Sequence, residues 1–234
     1  MGIYGITNTL DKGEVIVHFQ FLIEDISGEV FIRHVVEKLK MQYEQITYDC
    51  KAFKGIGGLK ILGNANKVKT DKLLDDLLIF LRGFDKSLKG IPASIVVVLD
   101  NDKRDTNEFR QQLETQAQRS MISIDYVFCI AVEEMEAWLL GDREALLKAY
   151  PQIRLAYLKD YVQDEICGTW ELLANALYKG GLKQFRKDNP TYREVGKRKS
   201  EWAREVGKYI DLNNNISPSF QEFISSLIKR LNAA

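Results

Sequence analysis

The sequence predicts an α/β fold with a mostly parallel sheet flanked by helices and a helical C-terminal part. Segments of β-branched residues alternate with segments of helical period, which is typical of parallel sheets joined by helices. The run "ASIVVVLD" at residues 93–100 is continuously apolar, as in a strand that is covered on both faces. After Pro151 the strand pattern stops and only helical patterns follow.

Length and composition are compatible with one large domain or a domain with an appendage. The chain has 234 residues, of which 45% are apolar, so a sizeable core can form. We place a boundary near residues 150–155, with an α/β domain at 1–150 and a helical part at 151–234 that packs on it. Lys plus Arg equals Asp plus Glu at 33 each. Net charge therefore predicts no partner, and nucleic acid would have to bind a local patch.

The localisation expected from these features is cytoplasmic. The three cysteines are odd in number and widely spaced, which favours free thiols in a reducing compartment. No basic segment followed by an apolar stretch opens the chain, so we expect no signal peptide. No apolar run approaches the ~20 residues of a membrane span, so we expect no membrane partner.

The elements follow one another as strand and helix. Residues 15–23 predict the first strand, and the apolar spacing over 30–39 predicts a helix. The remaining predicted elements of the first 150 residues are a short strand in "ITYDCKAF", a helix over 72–82, the strand 93–100, a helix over 105–119, a strand in "SIDYVFCIAV" and one helix over "EEMEAWLLGDREALLKAY". Beyond them, we predict helices in "KDYVQDEICGTWELLANALYKGG", "KSEWAREVGKYIDL" and "SPSFQEFISSLIKRL".

A glycine-rich segment, "KGIGGLKILG", follows the second predicted strand. Its spacing matches neither a Walker A loop nor a dinucleotide fingerprint. The segment is typical of a loop between two elements, with glycines at its turns. The alternative is a loop that contacts the substrate backbone, favoured by its lysines Lys54, Lys60, Lys67 and Lys69.

Carboxylates stand at the ends of three predicted strands, and they give the strongest functional signal. The first strand ends at Glu24 and Asp25, the "VVVLD" strand ends at Asp100 and Asp102, and the last leads into residues 133–136. Ligands of open α/β sheets collect at the carboxyl ends of the strands, so parallel neighbours would bring these acids together. The competing interpretation is local: Asp102 or Asp105 could cap a helix, and Glu133 and Glu134 could lie in a first helical turn.

Crowded carboxylates require neutralisation. Two of them ~4 Å apart repel by ~1 kcal/mol in water and by ~4 kcal/mol at an effective dielectric of 20. Oxygen-only ligands select hard cations such as Mg²⁺, which usually binds through one or two carboxylates and several waters. We therefore predict a site for Mg²⁺ or Mn²⁺.

Four segments resemble an uncharacterised TOPRIM-like bacterial family, which is related to the TOPRIM domain of OLD (overcoming lysogenization defect) nucleases. They are "FLIEDISGEVFIRHVV", "VVVLDNDKRD", "CIAVEEMEAWLLGD" and "NNNISPSFQEFISSL". The "EAWLLGD" and "SPSF" motifs are the most specific of these. One difference is that typical TOPRIM openings carry Gly directly after the first Glu, where this chain has Asp25.

The resemblance implies a TOPRIM-like, Rossmann-like fold and Mg²⁺-dependent cleavage of phosphodiesters. It further implies a phage-defence or genome-maintenance role beside an ATPase partner. By this resemblance the catalytic residues are Glu24, Asp100 and Asp102. The implied metal ligands are Glu24, Asp100, Asp102, Glu134 and Glu136, of which the last two could hold a second ion. Two ions ~4 Å apart would clamp the attacking and leaving oxygens. Asp25 and Glu29 are further candidates.

A basic segment spans residues 183–208, with nine Lys or Arg against four Asp or Glu. Such charge binds phosphate backbones, and its aromatic residues Tyr192 and Trp202 suit stacking on unpaired bases. The predicted nucleic-acid-binding residues are Lys103, Lys197, Arg198 and Lys199. A solvated helix face and a docking site for a partner protein are the alternatives. Trp138 has the helical spacing of a core or interface residue rather than of a base-stacking platform.

Three functional hypotheses result. The leading one is a TOPRIM-type, metal-dependent nuclease that acts on DNA or RNA. The second is a non-catalytic subunit with a degenerate TOPRIM fold that binds nucleic acid or protein. The third is a phosphatase or small-nucleotide phosphotransferase, which would use the same ligands without depending on the basic segment.

Overall fold

A four-stranded parallel sheet forms the centre of the molecule, in the order β2-β1-β3-β4. The computed structural model describes residues 15–59 and 71–233. The strands are β1 (Val17–Ile23), β2 (Ile46–Ala52), β3 (Ala93–Asp100) and β4 (Asp125–Ala131). The predicted α/β class, with a parallel sheet, flanking helices and a helical C-terminal part, is confirmed and is consistent with a Rossmann-like fold.

Helices cover both faces of this sheet. They are α1 (Ile26–Lys40), α2 (Leu73–Ser87), α3 (Thr106–Ser120), α4 (Glu136–Leu140), α5 (Arg143–Ala149), α6 (Thr169–Leu177), α7 (Gly181–Asp188), α8 (Tyr192–Gly207) and α9 (Pro218–Leu231), with a 3₁₀ turn at Leu155–Leu158. In the described part of the chain beyond Pro151, no strand occurs. Every helix of the described ranges falls short of the length and apolarity that crossing a bilayer requires.

The two faces of the sheet bury separate cores, because successive strand residues point to opposite sides. Leu22, Val97 and Phe128 face α2 and α3. On the other face, Phe21 and Val96 belong to a larger core that takes in α1 and the buried residues of α4 to α9. The helices after Pro151 therefore bury their apolar residues in the same core as β1.

The strand register aligns the carboxyl ends of β1, β3 and β4. Ile23 pairs with Val98, and Asp100 pairs with Ala131. The residues that follow β1 and β4 therefore come to the same edge of the sheet as Asp100. This is the geometry that the acids at the strand ends require.

The prediction of one helix over residues 133–150 is wrong, because α4 and α5 are separate. Asp142 caps α5 by accepting a hydrogen bond from Ala145 N (2.8 Å), and its second oxygen accepts one from Asp211 N (2.8 Å). A β-carbon at Gly141 would collide with the Asn215 side chain. The long helix predicted from residue 159 is likewise shorter, since only Thr169–Leu177 of that segment is helical before α7 begins.

The two most specific sequence motifs dock with each other. Trp138, in "EAWLLGD", donates from its indole Nε1 to Ser219 Oγ of "SPSF" (2.8 Å), and Asn215 Nδ2 donates to Trp138 O (2.8 Å). The Trp138 ring stacks on Phe223 with centroids 5.2 Å apart. Trp138 is completely buried, which confirms that it is a core residue. These contacts connect α4, which follows β4 at the carboxyl edge of the sheet, with α9.

We expect Ser219→Ala to destabilise the fold by about 1–3 kcal/mol, because it leaves the buried indole N–H of Trp138 without an acceptor. Urea unfolding measures this loss. Ser225→Ala, at an exposed position of the same helix, is the control and should change stability by less than about 0.5 kcal/mol. Equal stability of both variants would show that this hydrogen bond does not hold the two motifs together.

Candidate functional site

Glu24 and Asp100 meet at the carboxyl edge of the sheet. The backbone N–H of Asp100 donates to Glu24 Oε2 at 3.1 Å, and Glu24 N donates to Val98 O at 3.1 Å. Glu24 directly follows β1, and Asp100 is the last residue of β3, the neighbouring strand. Two acids 76 positions apart in the chain therefore share one site, as the parallel sheet predicted.

The segment after β4 brings further carboxylates to this site. Asp100 Oδ1 accepts a hydrogen bond from Met135 N at 2.9 Å, which fixes the start of α4 against the end of β3. The flanking side chains of Glu134 and Glu136 lie next to Lys199. We call Glu24, Asp25, Asp100, Glu134 and Glu136 the acidic cluster.

Lys199 on α8 supplies a positive charge within the acidic cluster. Its Nζ lies 3.0 Å from Glu136 Oε2 and 3.6 Å from Glu134 Oε1. The Glu136 side chain is completely buried, and that of Lys199 is 14% exposed. Helix α8 can present Lys199 here because it packs closely on α1, where a β-carbon at Gly207 would collide with the His34 ring.

Burial raises the pKa values of four carboxyls in the cluster, those of Glu24, Asp100, Glu134 and Glu136. It raises the pKa of Glu24 to about 7. The hydrogen bond from Asp100 N lowers this pKa, whereas the negative charges of Asp102 and Asp25 raise it further. It raises the pKa of Glu134 to about 8, together with repulsion from Glu136. The pKa of Asp100 is raised well above its ordinary value by burial and by the Glu24 charge.

Burial and charge act against each other on the pKa values of Glu136 and Lys199. Burial raises the pKa of Glu136, and the Lys199 charge opposes that change. Burial alone would lower the pKa of Lys199, but Glu136, Glu134 and Asp100 raise it above its ordinary value. Lys199 therefore stays protonated at neutral pH, and its positive charge favours the ionised form of each neighbouring carboxyl.

One ammonium group does not balance five carboxyl groups. Glu136 Oε1 is buried and has no hydrogen-bond partner. Its Oε2 forms the ion pair with Lys199 at 3.0 Å. Protons or a further cation must offset the remaining charge. Within residues 15–59 and 71–233, however, no three carboxylate, imidazole or thiol groups already converge as a metal-binding group.

Asp102 lies at the rim of the site, where it pairs with Arg104 and lines the neighbouring cavity. Its backbone is left-handed (φ 50°), and its Oδ2 binds Arg104 Nη1 at 2.8 Å. The intervening Asn101 side chain is completely buried, where it accepts from Glu133 N and donates to Thr106 Oγ1 (2.7 Å). Asn101 thus fixes a turn that separates the two aspartates. Asp105, rather than Asp102, caps α3.

Asp25 and Glu29, the further candidates, have local partners. Asp25 caps α1 by accepting from Gly28 N (2.7 Å) and Ser27 Oγ (2.6 Å). Glu29 forms an ion pair with Arg33 one turn later, at 2.6 Å. Asp25 still contributes negative charge to the site, since it raises the pKa of Asp100.

Glu133 supports the site without entering the acidic cluster. Its carboxylate accepts from three successive backbone N–H groups, those of Cys167 (3.3 Å), Gly168 (2.7 Å) and Thr169 (2.8 Å), at the start of α6. Its own backbone is left-handed, with φ 62°. Through these three hydrogen bonds, Glu133 holds the start of α6 beside the carboxyl end of β4. Its left-handed backbone is strained, as residues at functional sites often are.

The predicted nucleic-acid-binding residues separate into two groups. Lys103 and Lys197 are exposed, whereas Arg198 pairs with Glu201 at 2.7 Å and Lys199 lies in the acidic cluster. The aromatic residues of the basic segment also differ, since Tyr192 is 98% exposed and Trp202 is 4% exposed. Trp202 is therefore a core residue and not a stacking surface.

Part of the glycine-rich segment adjoins the site. Gly55 N donates to Glu24 O at 2.9 Å, and Gly55 and Gly57 have positive φ values of 101° and 71°. Lys54 pairs with Asp71 at 2.8 Å. Lys60, Lys67 and Lys69 lie outside the described residues, so the substrate-contact alternative stays a prediction.

Sequence reasoning did not identify two contributors. The basic segment predicts phosphate binding by Lys199, and Glu133 is predicted as one of the acids that follow the last strand or as part of a first helical turn. Both roles depend on contacts between residues far apart in the chain, at α8 and α6. No local spacing in the sequence signals either contact.

We expect Lys199→Met to destabilise the fold by about 3–5 kcal/mol at pH 8, because it leaves buried carboxylates without their cation. The loss should be smaller at pH 5, where those carboxyls take up protons instead. Urea unfolding at the two pH values measures both losses. Lys197→Met, which removes an exposed charge from the same helix, should be nearly neutral. A loss independent of pH would contradict the proposed charge balance.

We expect the raised carboxyl pKa values to make stability fall with rising pH. The pKa values of Glu24 and Glu134 rise from 4.5 to about 7 and about 8. Between 4.5 and 8 the folded state therefore binds more protons than the unfolded state, and the free energy of unfolding decreases. Urea unfolding from pH 5 to 8 should show a steeper decrease for the natural chain than for Glu134→Gln. Parallel curves would rule out this contribution.

Comparison with known proteins identifies a family. No curated protein and no solved structure matches this chain. A family model described as "Domain of unknown function (DUF4276)" matches residues 23–228. The matched range runs from the end of β1 into α9, so it includes the acidic cluster, Lys199 and the docked motifs. The chain therefore belongs to the DUF4276 family of domains of unknown function.

Proposed function

We propose that this protein is a metal-dependent nuclease that hydrolyses phosphodiester bonds of DNA or RNA. The observation that carries the proposal is the contact between Asp100 N and Glu24 Oε2, at the edge of the sheet where α/β proteins bind ligands. It joins two acids that the resemblance to TOPRIM domains assigns to the reaction. The phage-defence role and the ATPase partner implied by that resemblance stay predictions.

The donor atoms of the site fit Mg²⁺ or Mn²⁺. All candidate ligands are carboxylate oxygens, which hard cations prefer, and Glu136 Oε1 is buried without a partner. Mg²⁺ needs only one or two protein carboxylates, because it keeps several of its waters. Glu24 and Asp100 would hold the ion, with Asp102 at the rim. When bound, it would polarise the phosphate and lower the pKa of a water molecule.

Lys199 supports a centre with one metal ion rather than two. Its ammonium group lies between Glu134 and Glu136, the residues expected to hold a second ion. A cation beside these two carboxylates already neutralises part of their charge, so a second divalent ion would have to compete with it. In the proposal, Glu134 and Glu136 orient Lys199, and Glu24 and Asp100 are the metal ligands.

Proton transfer and phosphate binding fall to different side chains. Without a bound ion the pKa of Glu24 is about 7, so its carboxyl can accept and release a proton near neutral pH. A bound cation would lower that pKa and favour the proton-accepting carboxylate. Lys103, exposed beside Asp102, would place positive charge near the non-bridging phosphate oxygens. Lys197 would contact the strand farther from the reacting bond.

The alternative is a non-catalytic subunit that binds nucleic acid or protein. One observation favours it: no preformed metal-binding group occurs in the described part of the chain. In this alternative, Lys199 alone balances the acidic cluster and the carboxyls that remain are protonated. Titration calorimetry with Mn²⁺ separates the two functions, since the alternative requires no binding of the ion.

We expect the natural chain to cleave plasmid, single-stranded DNA or RNA in Mn²⁺ and to lose about 10²–10⁴-fold of that rate in Glu24→Gln. Asp100→Asn should lose both cleavage and Mn²⁺ binding. Both substitutions put a neutral side chain of nearly the same shape where burial disfavours a charge, so the variants should fold. Gel assays and calorimetry measure the two effects.

The control for this experiment is Glu108→Gln, which removes an exposed carboxylate from the first turn of α3. Its cleavage rate and Mn²⁺ affinity should equal those of the natural chain. Equal cleavage by the natural chain, Glu24→Gln and Asp100→Asn would exclude the acidic cluster from the reaction. Absence of Mn²⁺ binding by the natural chain would favour the non-catalytic alternative.

A further inference from the structure

A cavity of about 450 Å³ opens beside the acidic cluster. Its walls come from the loops after β3 and β4 and from the start of α6. The residues important here are Asp102, Lys103, Glu134, Cys167, Trp170 and Glu171. Its volume lies within the range of small-molecule sites, roughly 300–1,000 Å³. Glu134 belongs to both the cavity and the acidic cluster, so the two are contiguous.

Trp170 gives this cavity an aromatic wall. Its side chain is partly exposed, whereas Trp138 and Trp202 are 0% and 4% exposed. Phe185 and Arg186, which do not line the cavity, hold the ring at distances of 5.9 Å and 5.8 Å. The ring is therefore fixed in place, with part of its surface available to a ligand. Base–aromatic stacking contributes about 1–3 kcal/mol per base.

The polar groups of the cavity favour a ligand that donates hydrogen bonds. Glu133 also lines it, but its oxygens are occupied by the N–H groups at the start of α6. Glu171 has one ion pair, with Arg186 at 3.5 Å, so its carboxylate retains acceptor capacity. Carboxylates accept from the amino groups of bases, as they do from cytosine N4. They would repel a phosphate in the same position.

We propose that this cavity binds one unpaired nucleobase, stacked on Trp170 with its amino-bearing edge toward Glu171. The adjoining phosphate would then extend past Lys103 to the acidic cluster. This inference rests on the proposed nuclease function and specifies its substrate as a single-stranded or locally unpaired strand. A base inside a duplex cannot reach such a cavity without leaving the stack, which costs a few kcal/mol.

Tryptophan fluorescence provides a direct readout, because Trp170 is the tryptophan that is open to solvent. The experiment uses full-length Asp100→Asn with Mg²⁺, in which cleavage should not consume the probe. The probes are a single-stranded DNA 12-mer of mixed sequence, the matching duplex, and dCMP. We expect the 12-mer to quench the fluorescence and to bind at least 10-fold more tightly than the duplex or dCMP.

Two variants test the stacking assignment by anisotropy of the labelled 12-mer. Trp170→Leu, which keeps an apolar contact with Phe185, should weaken single-strand binding about 5–100-fold and leave duplex binding nearly unchanged. Tyr192→Leu removes the exposed aromatic residue of the basic segment, which is the competing stacking surface, and should weaken single-strand binding less than Trp170→Leu does. A loss confined to Tyr192→Leu would overturn the proposal, because stacking would then occur on α8.

Glu171→Gln tests the recognition of the amino edge, with Glu165→Gln, an exposed neighbour, as its control. An oligo-dC probe should lose affinity in Glu171→Gln relative to oligo-dT, so that the ratio of the two affinities falls. An unchanged ratio would overturn the assignment of Glu171. Equal affinity for dCMP and the 12-mer would overturn the proposal of a strand as the ligand, because the cavity would then bind a mononucleotide.

The outcomes for this cavity and for the nuclease function remain distinguishable. Quenching by the 12-mer with no cleavage by the natural chain would retain the nucleobase site and reject the nuclease function. Cleavage that depends on Asp100, with no quenching and no effect of Trp170→Leu, would retain the nuclease function and reject the nucleobase site.

Discussion

The ion pair between Lys199 and Glu136 is the interaction on which the rest of the site depends. It brings a helix from the C-terminal part of the chain to the end of the sheet and places an ammonium group among five carboxyls. A buried ion pair is weak support for stability in itself, since desolvation offsets most of its attraction. Its importance lies in position, because it offsets part of the negative charge of the carboxyls at the strand ends, whose pKa values burial raises.

Rigid packing around the cluster keeps its geometry fixed. Trp138 and Ser219 connect α4 to α9, and Asp164 adds to this contact by accepting from Ser219 N at 2.8 Å. Asn101 connects the loops after β3 and β4 through Glu133. The contacts between the "EAWLLGD" and "SPSF" motifs thus fix α4, which begins at Glu136, against α9. Their specificity in the sequence reflects packing as much as chemistry.

The sequence predicted the sheet and the meeting of Glu24 with Asp100, because both depend on local periodicity and on the alignment of parallel strands. It did not predict that Asp102 would turn toward Arg104, since that depends on how the buried Asn101 side chain is satisfied. Nor did it separate α4 from α5, because the break depends on Asn215 and Asp211, about 70 residues away. Lys199 shows the same limit: a basic segment predicts charge, whereas tertiary packing decides which lysine turns inward.

The capping of α6 by Glu133 determines which part of a ligand can approach from that side. The amino end of a helix is ordinarily a seat for anions, since its free N–H groups and dipole attract negative charge. In this protein the N–H groups of Gly168 and Thr169 at the start of α6 already donate to the Glu133 carboxylate. An anionic ligand therefore cannot use the N–H groups at the start of α6. In the proposed function, its phosphates would need a side-chain cation such as Lys103, which lines the same cavity.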